Sequence, residues 1–161
     1  MSLKKFIEEN SGKLYNMPIF IMYYTVIDYD EYFDKRKNIL VCGRVYAWYV
    51  KGFDIAIKAF AKIAEKIPNT DLDIVGEYDQ KSKIHLENIA IECGVEERVH
   101  FLGRSNDMIN IMRNHKVFVL SSRTEGFPMV ITEAMTQGLP CVSFERLSYP
   151  IIIDSIDGLL V

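Results

Sequence analysis

The chain has 161 residues, of which 49% are hydrophobic and 25% charged, and its formal net charge is -3. This length fits one domain, and the composition is that of an ordinary soluble globular protein. Lys and Arg are scattered rather than gathered in a stripe, so nucleic acid is not expected as a partner. The three cysteines are isolated and the three histidines lack ligand spacing, which predicts reduced thiols and no metal site.

The beginning of the chain differs in pattern from the remainder. KKFIEENSGKLY predicts a short amphipathic helix and PIFIMYY a strand, and a polar connector with several aromatic residues follows. The first residues do not predict a signal peptide, and the apolar stretch at residues 18–27 is about half as long as a membrane span. We therefore expect residues 1–35 to be the tail of an N-terminal domain with an interdomain linker, and residues 36–161 to form the main domain.

From residue 38 onward, apolar runs alternate with amphipathic segments. Five runs predict buried strands: NILVCG, DLDIVG, RVHFLG, KVFVLSS and PCVSF. Four segments between them have helical periodicity: GFDIAIKAFAKIAEKI, KSKIHLENIAIECG, DMINIMRNH and PMVITEAMTQG. DGLLV at residues 157–161 predicts a turn and a further strand. This alternation predicts an α/β fold, a doubly wound, Rossmann-like parallel sheet with helices on both faces.

The residues that follow the strands are the candidates for ligand binding, because open α/β sheets bind ligands outside the carboxyl ends of their strands. Arg44 follows the first strand and Lys51 opens the next helix, and both cations suit a phosphate or diphosphate as well as solvent. Neither a G-x-G-x-x-G after the first strand nor a G-x-x-x-x-G-K-[ST] loop occurs. A dehydrogenase, a flavodoxin-like protein and a P-loop nucleotidase therefore lack their usual signals.

The segment after the fourth strand, SSRTEGFPMVITEAM, leads into a helix without an obvious capping side chain. Pro128 begins that helix, so the N–H groups of Met129 and Val130 are open to an anion or to water. Glu133 lies a turn and a half into the helix, and its side chain can lean back toward the helix start, where a sugar diol would suit it. The alternative is a surface glutamate favoured by the helix dipole.

The same segment carries a family resemblance. EGFPMVITEAMTQGLPCVSF, in which seven residues separate Glu125 and Glu133, resembles the Glu-x7-Glu motif of the group 1 glycosyltransferases. VCGRVYAWYVKGFDIAIKAF, LDIVGEYD, RVHFLG and DGLLV resemble further segments of that family, in the same order. The resemblance covers residues 38–161 and implies one half of a GT-B fold, the C-terminal donor-binding domain of a retaining, nucleotide-sugar-dependent enzyme. The family's N-terminal acceptor domain and its C-terminal helix are expected to be missing.

The resemblance also implies roles for individual residues. Arg44 and Lys51 would neutralise the diphosphate of the donor, although seven residue steps separate them where the family has five. Glu125 would hold the donor sugar and complete the catalytic set with these two cations, and Glu133 would hold the ribose. The remaining implied donor contacts are Gly126 and Phe127 at the sugar, Met129 and Val130 at the phosphates, and Gly103 and Arg104 near the base.

These implications predict transfer from a UDP- or GDP-sugar to a glycan or lipid-linked acceptor, as in cell-surface polysaccharide synthesis, without metal or cofactor. We expect a cytoplasmic protein whose full-length form is peripheral at the inner membrane face. The present segment would be inactive alone, because half a cleft neither excludes water nor positions an acceptor. One alternative is a non-catalytic GT-B-like partner that binds or stabilises another transferase, which the intact charged residues disfavour. Another is a glycosidase, whose two carboxylates must lie at a set separation.

Overall fold

The structure, a computed structural model, describes residues 35–144 and 158–160. The helix, the strand and most of the connector expected at the beginning of the chain therefore lie outside the described residues. So does the turn expected before residue 158. The domain boundary predicted at residues 35 and 36 stays a prediction.

Within the described residues, one sheet contains six parallel strands. These are β1 Lys37–Cys42, β2 Leu72–Val75, β3 Val99–Gly103, β4 His115–Leu120, β5 Cys141–Ser143 and β6 Gly158–Leu160. Their spatial order is β3-β2-β1-β4-β5-β6, and every neighbouring pair is parallel. This is the strand order of Rossmann-type sheets, in which the direction of winding reverses between β1 and β4.

Five helices connect these strands within the described part of the chain. They are α1 Trp48–Lys51, α2 Phe53–Ile63, α3 Gln80–Glu92, α4 Met108–Asn114 and α5 Met129–Thr136. The four predicted helices correspond to α2 through α5. The side chains of Asp79 and Asp107 cap α3 and α4 by accepting backbone N–H groups of the first turn. Only α1 was not predicted, because its four residues are too few to show a helical period.

Apolar side chains are buried on both faces of the sheet. On the face covered by α2 and α3, the largest are Phe53, Ile57, Leu72, Ile74 and Leu86. On the face covered by α4 and α5, they are Leu40, Met112, Phe118, Ile131 and Leu139. Leu40 and Val41 are consecutive in β1 and belong to opposite faces, as the pleat requires. Each such side chain stabilises the fold by about 1.5–3 kcal/mol. The predicted doubly wound α/β architecture is confirmed.

The end of α5 is held by an arginine from the segment that enters β1. Arg36 is buried, and its guanidinium donates to the carbonyl oxygens of Gly138 at 2.6 Å and Gln137 at 2.8 Å. These carbonyls follow the last turn of α5, where helical carbonyl groups have no partner within the helix and the dipole is negative. A cation there satisfies both conditions and fixes α5 to the beginning of β1.

Candidate functional site

The carboxyl ends of β1 and β4 meet where the strand order reverses. The two strands are direct neighbours, with Leu40 paired to Phe118. The chain after β1 turns to the face covered by α2, and the chain after β4 turns to the face covered by α5. This reversal point is the usual position of ligands in such sheets.

The loop after β4 is fixed to the segment around α1 by backbone contacts. Gly52 has a φ of 66°, and a Cβ atom there would lie 1.8 Å from the carbonyl oxygen of Ser121. The hydroxyl of Ser121 donates to the carbonyl oxygen of Lys51 at 3.2 Å, and the N–H of Arg123 donates to that of Val50 at 2.8 Å. Only a glycine permits this approach, because it has no Cβ and tolerates a positive φ. The predicted Lys-Gly helix opening thus has a packing reason.

An arginine clamp reinforces the same contact. The guanidinium of Arg123 donates to both carboxylate oxygens of Asp54, at 2.7 and 2.8 Å, and to the carbonyl oxygen of Tyr49 at 2.7 Å. It also lies 4.1 Å from the centre of the Tyr49 ring. Burial opposes ionisation of Asp54, but the hydrogen bonds and positive charge of Arg123 outweigh it, so the pKa of Asp54 is lowered. Sequence reasoning missed this clamp. Its only signal was an aspartate in the otherwise apolar start of α2.

Two predicted site residues meet directly at the carboxyl ends of β1 and β4, which form the mouth of the candidate site. The ammonium of Lys51 lies 2.8 Å from Oε1 of Glu125, and the side chains are 22% and 13% exposed. The hydroxyl of Ser122, a residue only 1% exposed, donates to the same oxygen at 2.6 Å. Lys51 was expected at a donor diphosphate, and here its charge is paired with the residue expected at the sugar. Ser122 was not predicted as a site residue, although its position two residues after the end of β4 was a usable signal.

The longer connection between the two predicted cations does not carry Lys51 away from β1. A 3-10 turn, Val45–Ala47, and the single turn of α1 take up the extra residues. A Cβ atom on Gly43 would lie 3.7 Å from Cγ and Cδ of Lys51, so the lysine stem runs beside the end of β1. The seven residue steps are therefore compressed into helical turns, which rise only about 1.5–2 Å per residue.

Arg44 is exposed at the end of β1 with an extended backbone. Across residues 35–144 and 158–160, its guanidinium has no hydrogen-bond or ion-pair partner. The end of β1 therefore carries one guanidinium that is available to an anion, whereas the ammonium of Lys51 is paired.

The start of α5 has no capping side chain. The N–H of Val130 has no partner in the described part of the chain, which leaves it open as predicted. The N–H of Met129 differs from the prediction, because it donates to the carbonyl oxygen of Phe127 at 2.9 Å in a tight turn. Gly126 and Phe127 are exposed at the entrance of the helix. The helix start thus offers a dipole and one open N–H rather than two.

Glu133 is exposed on α5, and its carboxylate makes no hydrogen bond or ion pair with the described residues. Its charge affects the pKa of Cys42, the last residue of β1. Burial, together with the charge of Glu133, raises the pKa of the Cys42 thiol to about 12, and the charge of Lys51 opposes the rise. Glu133 and Lys51 therefore both act electrostatically on the end of β1. The carboxylate itself is exposed to solvent.

Gly103 and Arg104 lie at the end of β3, at the edge of the described sheet. Three strand spacings, about 14 Å, separate β3 from β4, so the structure does not bring these residues next to Glu125. The carbonyl oxygen of Gly103 accepts the N–H of Gly76 at 2.8 Å, and a Cβ on Gly76 would lie 1.7 Å from the carbonyl oxygen of Gly43. Backbone contacts thus connect the ends of β3, β2 and β1 in turn, from the segment of Arg104 to the segment of Arg44.

Residues 35–144 and 158–160 contain neither a cluster of metal ligands nor a helix suited to crossing a membrane. No group of three or more His, Cys, Asp or Glu side chains is arranged to hold a metal ion there. No helix in this part of the chain has both the length and the apolar character that crossing a membrane requires.

The sequence pattern of one protein family, described as Glycosyl transferases group 1, matches residues 29–161 of the chain. The chain belongs to this family. An uncharacterized glycosyltransferase of Haemophilus influenzae is 36% identical to this group 1 domain over 110 residues, which are 68% of the chain and 30% of that relative. The resemblance inferred from the Glu-x7-Glu segment is thereby confirmed.

Further relatives of the group 1 domain include enzymes with named substrates. An Escherichia coli protein named UDP-Gal:alpha-D-GlcNAc-diphosphoundecaprenol alpha-1,3-galactosyltransferase is 37% identical over 76 residues, 47% of the chain and 19% of that protein. The crystal structure of WaaG, a glycosyltransferase involved in lipopolysaccharide biosynthesis, superposes with a TM-score of 0.63 at 28% identity, covering 74% of the chain and 31% of WaaG. The chain spans less than a third of the length of each of these three proteins.

Proposed function

We propose that this group 1 domain binds a nucleoside-diphosphate sugar, a UDP- or GDP-sugar, at the carboxyl ends of β1 and β4. The observation that carries the proposal is the meeting of Lys51 and Glu125, 2.8 Å apart, at the point where the winding of the sheet reverses. An anionic leaving group and a polyhydroxyl sugar need a cation and a carboxylate side by side. The fold brings these two together from positions 74 residues apart.

The diphosphate would lie between Arg44, Lys51 and the start of α5. The guanidinium of Arg44 suits two phosphate oxygens at once, and the open N–H of Val130 adds a donor at the positive end of a helix dipole. Negative charge develops on the diphosphate as the bond to the sugar breaks, and these donors would stabilise it in the transition state.

The two glutamates would act as hydroxyl acceptors rather than as an acid–base pair. Glu125 is held by Lys51 and Ser122 at one oxygen, and its second oxygen has no partner in the described part of the chain. Glu133 is exposed and unpaired over the same residues, which suits the diol of a ribose. UDP is supported as the nucleotide by the name of the E. coli relative.

The full-length protein would transfer the sugar with retention of configuration to a glycan or lipid-linked acceptor. The diphosphoundecaprenol acceptor in the name of the E. coli relative and the lipopolysaccharide role of WaaG support a product at the cell surface. The acceptor site, the absence of a metal requirement and the cytoplasmic, membrane-peripheral location stay predictions. Arg44, Lys51, Glu125 and Glu133 are all present, which favours donor binding over a non-catalytic partner of another transferase.

Thermal unfolding with UDP or GDP tests the proposal. A ligand at 100 times its Kd adds about 2.7 kcal/mol of stability, so millimolar nucleotide should raise the Tm of the chain by several degrees. Glu133→Ala should reduce the shift, whereas Glu92→Ala, at an exposed glutamate near the end of α3, should leave it unchanged. If neither nucleotide moves the Tm at millimolar concentration, donor binding by this chain is rejected.

A further inference from the structure

Lys51, the cation expected at the diphosphate, is paired with Glu125. Oε1 of Glu125 is 2.8 Å from Nζ of Lys51, and the pair is mostly buried. The ammonium has three N–H donors, but a diphosphate drawn to Lys51 would bring its negative charge next to the Glu125 carboxylate, and the two anions would share one cation and repel each other. Binding of a diphosphate therefore has to compete with Glu125.

We propose that Glu125 and Lys51 form an exchangeable ion pair, in which the diphosphate of the donor takes Lys51 from Glu125, and that Ser122 is the positioning residue that keeps the carboxylate in place afterwards. The inference rests on the proposed donor function and adds what the contact between Lys51 and Glu125 does when the donor binds. No covalent bond changes in this exchange: one charge-assisted hydrogen bond of the ammonium is replaced by another.

The contacts of Lys51 fit a movement of the side chain alone. Its carbonyl oxygen accepts a hydrogen bond from Ser121, and its backbone leads into the close approach of Gly52 to the loop after β4. Beside its stem stands Gly43, whose missing Cβ leaves the space next to Cγ and Cδ open. A lysine has four rotatable stem bonds and a compact charged end, so the ammonium can change partner while the backbone stays fixed.

Ser122 fits the role of keeping Glu125 in position. It is 1% exposed, and its hydroxyl donates to the same Oε1 that contacts Lys51, at 2.6 Å. Once Lys51 has moved to the diphosphate, this hydrogen bond remains, and the carboxylate regains for a sugar hydroxyl the acceptor position that Lys51 had used. Donor binding would thus release the carboxylate at the moment when the sugar arrives.

The exchange predicts opposite effects of one substitution on two ligands. UDP has no donor sugar, so for UDP the carboxylate of Glu125 is only a competitor for Lys51. Glu125→Gln should therefore bind UDP about 5-fold more tightly than wild type, the size expected for releasing an ion pair worth about 1 kcal/mol. A UDP-hexose should gain less or lose affinity, because the sugar loses an anionic acceptor.

The test measures Kd by calorimetry on the whole 161-residue chain, with UDP, GDP and UDP-galactose as probes. A double-mutant cycle with Lys51→Met separates the exchange from simple repulsion between Glu125 and phosphate. The exchange predicts that the gain from Glu125→Gln disappears in the Lys51→Met background. An equal gain in both backgrounds, or no gain in either, overturns it while leaving donor binding intact. Absence of UDP and GDP binding by both wild type and Glu125→Gln would instead overturn the proposed function.

A second measurement isolates the positioning role. Ser122→Ala should lower the affinity for UDP-galactose relative to UDP by about 3-fold. Only the galactose would bind the Glu125 carboxylate, so only UDP-galactose should depend on the hydrogen bond by which Ser122 positions it. Ser82→Ala is the matched control. Ser82 is also buried, and its hydroxyl donates to the carboxylate of Asp79 at 2.8 Å, but it lies at the start of α3. A uniform loss for both ligands in Ser122→Ala would mean that Ser122 supports only the fold.

Discussion

Gly52 and Ser121 touch through backbone atoms alone: a Cβ on Gly52 would stand 1.8 Å from the carbonyl oxygen of Ser121. The contact joins the helical segment after β1 to the loop after β4, the two segments that carry Lys51 and Glu125. Since the distance is far below any real carbon–oxygen contact, a side chain at Gly52 must displace one of the two segments. The spacing of the candidate site thus depends on a residue that has no side chain.

Gly52→Ala should destabilise the protein by about 3 kcal/mol or more, because it combines backbone strain with a clash against backbone atoms. Gly94→Ala is the control, since Gly94 has a φ of 68° and open space around the position of a Cβ. It should cost only about 1–2 kcal/mol, the strain of the left-handed conformation. Urea unfolding measures both. Equal losses would show that the mouth yields easily and that the close contact is unimportant.

The clamp between Asp54 and Arg123 should make stability depend on pH in the acidic range. The pKa of Asp54 is lowered from its ordinary value of 3.8 in the folded protein. Its ion pair therefore stabilises the fold fully above about pH 5, and this contribution disappears as the pH falls through 3.8 toward the lowered folded pKa. Asp54→Asn should be about 1–2 kcal/mol less stable than wild type at pH 7, with the difference shrinking at pH 3. A difference that is independent of pH would contradict the assignment.

Arg123→Lys should behave like a loss of the clamp rather than a conservative change. A lysine cannot donate to both oxygens of Asp54 and to the carbonyl oxygen of Tyr49 in one plane, and it stacks less well on the Tyr49 ring. We expect a loss of about 1–2 kcal/mol in urea unfolding. Lys58→Arg, at an exposed position of α2, is the control and should be neutral. Wild-type stability of Arg123→Lys would show that charge alone holds the loop.

Cys42 offers a chemical measurement of the charges around β1. With a pKa of about 12, its thiol should be alkylated by iodoacetamide far more slowly at pH 8 than a free cysteine, since only roughly one molecule in ten thousand carries the thiolate. Glu133→Gln should speed the reaction and Lys51→Met should slow it, because the two charges act on the thiol in opposite directions. Mass spectrometry of the peptide containing Cys42 gives the rates. A rate unaffected by Glu133→Gln would mean that Glu133 lies too far from β1 to share a site with Lys51.

Arg44→Ala should weaken UDP binding by about 10-fold or more without changing stability. A guanidinium hydrogen-bonded to phosphate is worth about 1.5–3 kcal/mol, and Arg44 has no partner in the described part of the chain whose loss would disturb the fold. Lys81→Ala, at an exposed cation in the first turn of α3, should leave the Kd unchanged. Calorimetry with UDP measures both. A similar loss in both variants would indicate general electrostatic attraction instead of a phosphate contact at Arg44.

The sequence predicted the sheet and its helices because burial leaves a periodic trace in each element. Leu72–Val75 is buried throughout, and three of its four residues are apolar, so the segment is recognisable as a buried strand despite Asp73. The cap of α4 by Asp107 is also a local interaction, with the N–H of Asn110 three residues along the chain. The element α1 was missed because a single turn has no period to detect.

The site could be predicted only as far as its position at the strand ends. That Lys51 would pair with Glu125, and that Ser122 would share the same oxygen, depends on two loops that meet only when the strands are in register. The Asp54–Arg123 clamp has the same origin. Residue type and spacing along the chain do not determine which charged side chains pair with each other in the folded sheet.

The attachment of Arg36 to the end of α5 has a mechanical consequence. Arg36, just before β1, donates to the carbonyl oxygens of Gln137 and Gly138, which follow the last turn of α5. The N-terminal end of the same helix lies at the candidate site. A tension applied to the polypeptide at residue 35 would therefore load α5 along with β1. Because α5 is a rigid helix, it would transmit part of that load to the preceding loop, which contains Glu125.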